Sequence, residues 1–210
     1  MIVVDIETSG LDFEKCGIWQ IGAVELENPL NTFLEEGRLE KEYNLILEGN
    51  WKGKKPEEVM GKTEEELRDP KKQSERELLE NFFNWVEKCN FKTFICQGPQ
   101  FDHAILQHRA RKYGLVFPAG HRAMDLHSIA QVKYFQLNGE FLIKKDKSDM
   151  GLGNILSLVG MKDERVFHNA LEDAKLTAEC FSRIVYGRSI FDEYFKFPIP
   201  KYLKLEEDEI

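Results

Sequence analysis

Apolar and polar positions alternate at strand spacing near the start of the 210-residue chain and recur at helical spacing through its middle and end. The β-branched run Ile2-Val3-Val4 predicts a buried strand, stopped by Ser9-Gly10. Residues 16–26 predict a second strand, antiparallel to the first because the connection is short, and Gly22 within it allows a bulge or a close approach. Weaker strands are expected over 32–34 and 43–47, then short helical pieces around 56–60 and 63–67. Ser74 with Glu77 makes a capping box, and the helix behind it carries Leu78, Leu79, Phe82, Phe83 and Val86 at core spacing. It ends near Cys89-Asn90, and 91–96 reads as a short apolar strand. The turn Gln97-Gly98-Pro99-Gln100 then leads into a helix reaching about Tyr113.

In the second half, Asp125 caps a short helix over 125–132. Asn138-Gly139 between apolar-rich arms predicts a β-hairpin over 134–144, an insertion-like element within 133–147 trailed by Lys144, Lys145 and Lys147. Such a hairpin serves either as one wall of a substrate groove or as surface decoration. Ser148 or Asp149 is expected to cap a helix over 152–159, closed by Gly160. Asn169 and Glu172, three apart, open a long amphipathic helix from Ala170 to about Tyr186, and the aromatic stretch 191–197 is expected to pack back. The chain therefore reads as one α/β domain over 1–190, with 191–210 as a C-terminal extension ending in an acidic tail.

Composition narrows the possible roles. The net charge of −8 disfavours a protein that coats long nucleic acid, which needs phosphate neutralisation, but permits an enzyme holding a few nucleotides. The basic loop 49–56 surrounds Trp51 with lysines, as a base-stacking loop or as a solvated one. No apolar run approaches the ~20 residues that span a membrane, and no basic-then-apolar leader opens the chain, so no membrane association is expected. Cys16, Cys89, Cys96 and Cys180 form no C-x-x-C pair, which points to reduced thiols in a cytoplasmic compartment.

The candidate chemistry begins at the end of the first strand. Asp5 and Glu7 are two apart and share a strand face, with Ile6 on the other. Two carboxylates side by side at a buried strand end repel and lose hydration, and a divalent cation held by oxygen ligands compensates both costs. Asp102 falls in a first helical turn, where the macrodipole favours a carboxylate. His168 and Asp173 would lie roughly 140° apart around one helix. With His168 on the loop before the helix, both reach one site.

Asp5-Ile-Glu7-Thr8, Phe101-Asp102 and His168-Asn-Ala-Leu-Glu-Asp173, in this order, closely resemble the three motifs of the DnaQ-like DEDDh 3′→5′ exonucleases. The resemblance covers about residues 1–186, including Trp19-Gln-Ile-Gly-Ala; ahead of Phe101-Asp102 the family often has His-Asn, where this chain has Gln97-Gly98-Pro99. It implies a ribonuclease-H-like α/β fold, a mixed central sheet of about five strands flanked by helices. It also implies two divalent metal ions, Mg²⁺ or Mn²⁺, at Asp5, Glu7, Asp102 and Asp173, with His168 as general base. Thr8 and Leu11 would contact the terminal nucleotide. The implied activity is hydrolysis of single-stranded DNA or RNA from the 3′ end, releasing nucleoside 5′-monophosphates. Two other roles share the motifs: a catalytically weak nucleic-acid-binding module, and a polymerase-associated proofreading subunit. A protein partner or a homodimer is left open.

Overall fold

The computed structural model describes residues 1–46 and 52–205. Its centre is a five-stranded sheet in the order β3-β2-β1-β4-β5. The strands are β1 (Ile2–Thr8), β2 (Ile18–Glu25), β3 (Asn28–Glu36), β4 (Phe94–Cys96) and β5 (Ala123–Asp125). β1, β2 and β3 form an antiparallel meander, while β4 joins β1 in parallel and β5 joins β4 in parallel. The sheet is therefore mixed, and the fold class is the α/β arrangement expected.

Side chains on β1 alternate between two apolar layers. Ile2, Val4 and Ile6 pack toward α3 (Glu75–Lys88) and α4 (Asp102–Tyr113). Val3 packs on the other face with Ile95, α5 (Leu126–Asn138), α6 (Leu152–Leu158) and α7 (Ala170–Tyr186). Asp5 and Glu7 share Val3's parity, so they end the strand on the α7 side. A third cluster, Trp19 with Leu39, Tyr43, Val59, Met60 and Leu67, seats the short helices α1 (Pro56–Met60) and α2 (Glu64–Leu67).

Ser74 caps α3 reciprocally with Glu77, as its spacing predicts. Gly22 answers to close approach: a Cβ there would lie 2.1 Å from the Ala170 carbonyl carbon and the Leu171 nitrogen. Helix α7 thus lies directly on the β2 backbone. Residues 191–205 pack back on the α6–α7 layer, with Phe191 and Leu203 buried in it.

Three expected elements differ. Asn138-Gly139 is not a hairpin turn but the end of α5, with Gly139 as its left-handed cap (φ 76°). The ribbon lies further on, β6 (Ile143–Lys144) against β7 (Lys147–Ser148), and turns at Lys145-Asp146, both at positive φ. Asn-Gly suits a helix C-terminus as well as a type I′ turn, and continued packing of α5 selects the former. The cap of α6 is Gly151, not Ser148 or Asp149. Residues 43–46 form no strand; they follow a turn and pair backbone to backbone with Ser9 and Lys15. The remaining expectations for Leu47, for Trp51 with the start of its basic loop, and for the acidic tail lie outside the described residues.

Candidate active site

One strand and the starts of two helices meet at one cavity of about 550 Å³. β1 supplies Asp5 and Glu7, the start of α4 supplies Asp102, and the start of α7 supplies Asp173, with His168 on the loop before it. Ile6, Leu11, Gln97, Phe101, Leu152 and Arg165 complete the lining. All five candidate catalytic residues read from the sequence are therefore brought together.

Local bonds fix the frame. The Ile6 N–H donates to Asp102 Oδ1 at 3.2 Å, coupling the first two motifs through the sheet. Asn169 caps α7 by accepting from the Leu171 and Glu172 N–H groups. Gln20 Oε1 accepts from the Ala170 N–H at 2.8 Å, pinning the same helix start to β2. His168 Nδ1 lies 3.3 Å from Asp173 Oδ2. Of the two softer assignments, Leu11 lines the cavity and is 61% exposed, as an apolar group at the mouth. The Thr8 hydroxyl is turned to the Gly10 carbonyl (2.8 Å) and does not line the cavity.

Electrostatics in the cavity are dominated by acid. Loss of hydration, reinforced by Asp102, Glu7 and Asp173, holds the Asp5 carboxyl well above the usual carboxylate range. Burial raises Glu7 to about 8, aided by Asp173 and Asp102 and opposed by His168 and Arg165. Burial raises Asp102 to about 7 against the N–H bond from Ile6. His168 is pushed up by its hydrogen bond to Asp173, with burial opposing and the Glu7 charge assisting. Carboxylates this costly to ionise fit hard divalent cations. Glu7, His168 and Asp173 also offer ligand atoms within 4.8 Å of one another.

Residues 1–185 match the family described as the 3′-5′ exoribonuclease Rv2179c-like domain. The chain belongs to that family. This exoribonuclease-family chain is also 26% identical over 185 residues to the DNA polymerase III PolC-type of Thermotoga maritima, and 25% identical to that of Thermotoga petrophila. Each match takes in 88% of this chain and 12% of the polymerase, so the chain spans about an eighth of those relatives. The nuclease domain of 3′hExo, described as a DEDDh family member bound to rAMP, superposes at TM-score 0.62 with 15% identity over 95% of both chains. Escherichia coli exonuclease I in complex with a dT13 oligonucleotide gives 0.63 at 15% identity, over 84% of this chain and 39% of that one. At such identities the likeness is one of fold.

The cavity of this exoribonuclease-family chain also holds residues outside the three motifs. Arg165 donates through Nη1 to Asp173 Oδ1 (3.0 Å), and Asp163 grips it from behind at 2.6 and 2.9 Å. It is a fixed positive charge against a carboxylate cluster. Its only trace in the sequence is its place three residues before His168. Gln97 and Leu152 reach the cavity from separate elements, and nothing in their spacing announces it. Among the described residues, no helix is long and apolar enough to cross a membrane.

Proposed function

We propose that this protein removes nucleotides one at a time from the 3′ ends of single-stranded RNA, releasing nucleoside 5′-monophosphates by metal-dependent hydrolysis. The observation that carries the reading is the convergence of Asp5, Glu7, Asp102 and Asp173 on one cavity edged by His168. RNA is the substrate class named by the family's description. The four carboxylates hold two divalent metal ions, and an all-oxygen donor set favours Mg²⁺ or Mn²⁺. Bound there, such a pair supplies charge stabilisation to the attacking and leaving oxygens of an in-line displacement.

The side chains divide the remaining work. His168, held with Nδ1 against Asp173, takes a proton from the attacking water. The water oxygen bonds to phosphorus while the bond from phosphorus to the preceding nucleotide's 3′ oxygen breaks, and that oxygen leaves with a proton. Leu11 packs against the terminal base, and the backbone around Thr8 accommodates its 3′ hydroxyl. A second reading, a proofreading module acting on DNA, draws on the similarity to PolC-type polymerases.

The test is a time course on 5′-labelled single-stranded RNA and DNA, each with Mg²⁺, with Mn²⁺ and with EDTA, beside Asp5→Asn. A metal-dependent ladder shrinking from the 3′ end of RNA, absent for Asp5→Asn, is the expected result. Preference for DNA would favour the proofreading reading. Equal cleavage by Asp5→Asn would overturn both.

A further inference from the structure

Beyond the catalytic cavity, the segment from α5 to α6 combines exposed aromatic rings with uncompensated lysines. Gly139 reverses the chain, and Phe141 returns to lie against Phe135, ring centroids 4.8 Å apart and planes at 31°. Both rings are about half exposed, at 44% and 52%. The β6–β7 ribbon then sets Lys144 directly opposite Lys147, with Lys145 in the turn between them. Like charges facing each other across a ladder weaken it. On the other ribbon face Ser148 meets His127 and Gln131, so the lysine pair is turned away from α5. Lys133, Lys144, Lys145 and Lys147 have no ion-pair partner among the described residues, in a chain whose net charge is −8.

This segment is tied to the active site. Gln131 brackets Leu142, accepting from its N–H at 3.0 Å and donating to its carbonyl at 2.9 Å. Gln97, in the catalytic cavity, donates to the Met150 carbonyl at 3.3 Å, and Leu152 lines the same cavity. Lys147 is five residues from Leu152, a chain distance of at most ~17 Å.

We propose that Phe135, Phe141, Lys144, Lys145 and Lys147 form a second contact region for single-stranded polynucleotide, engaging the strand several nucleotides upstream of the 3′ end. The inference rests on the exonuclease reading above. Aromatic faces stack bases without regard to sequence, and lysines neutralise phosphates, which is the combination that holds single strands. A second copy of this chain fits the surface poorly, because a two-fold contact would set these lysines against themselves. An acidic peptide would match the charge but leave the rings uncovered.

The experiment compares wild type with Lys144→Gln/Lys145→Gln/Lys147→Gln and with Phe141→Ala, on a diribonucleotide and on a 12-nucleotide RNA. Dinucleotide kcat/KM should stay within about twofold, while kcat/KM on the 12-mer falls about tenfold or more. Binding of a fluorescent 12-mer in Ca²⁺, followed by anisotropy, should lose about 2 from its log–log salt slope in the triple variant, at ~0.7 per phosphate contact. Equal losses on both lengths, unchanged 12-mer binding, or a dimer in light scattering that the triple variant dissolves would each overturn the proposal. The anisotropy readout is independent of cleavage, so an inactive wild type would sink the exonuclease reading and leave this surface still tested.

Discussion

Asp5 and Glu7 stand on the strand face that buries Val3, so the fold spends stability to present them. Unfolded carboxyls titrate near 4, whereas Glu7 and Asp102 do so at about 8 and about 7 in the native cavity. Between those values the native state holds protons that the unfolded chain has released, and stability falls as pH rises. In EDTA the Tm should therefore drop from about pH 5 to about pH 8, and saturating Mg²⁺ should flatten that slope. Asp5→Asn should raise the Tm in EDTA at pH 8 while removing activity; a Tm that climbs with pH in EDTA would contradict this. His168→Ala should slow the chemical step by ~10²–10⁴-fold, the usual contribution of a positioned base, with KM little changed. A change confined to KM would make His168 a binding residue. These carboxylates were legible because they sit at fixed places in strand and helix patterns. Arg165 was not, since a loop arginine leaves no periodic trace.

At the scale of elements, the contact of α7 with β2 sets the relation of Asp173 to Asp5. Gly22→Ala would drive a methyl group into the Ala170–Leu171 backbone. Overpacking of ~1–3 kcal/mol should lower the Tm by ~2–12 °C. Displacement of Asp173 and His168 should also cost about 10²-fold in kcat, because small misplacements at a reacting centre are expensive. Full activity would show that α7 is free to shift. The capping boxes, the first two strands and the α7 start follow from local rules that tertiary packing leaves intact. The 134–144 hairpin did not survive, because Asn138-Gly139 satisfies two rules and long-range packing of α5 decides between them. Gly151 as a cap carries no side-chain signature, so Ser148 and Asp149 competed for a role neither fills.

For the molecule as a whole, the C-terminal stretch is held through a buried ion pair. Arg183 donates to Glu179 at 2.6 Å and to the Val159 and Tyr194 carbonyls at 3.2 and 3.0 Å, while Glu179 accepts from the Ile190 N–H at 2.9 Å. Removing one partner of such a pair leaves a buried charge uncompensated, at ~3–5 kcal/mol. Arg183→Ala should lower the Tm by ~6–20 °C, with activity retained well below the transition. A shift under about 2 °C would mean that residues 191–205 contribute little to the domain. Aromatic content alone announced that this stretch packs back; the polar network behind it depends on contacts no linear pattern records.

The most direct measurement is the product of a single turnover on single-stranded RNA, separated chromatographically with Mg²⁺ and with EDTA, for wild type and for Asp173→Asn. Nucleoside 5′-monophosphate, formed only with Mg²⁺ and only by wild type, is the result predicted by hydrolysis at a carboxylate-held metal site. Nucleoside 3′-phosphates, oligonucleotide fragments, or equal product in EDTA would contradict it.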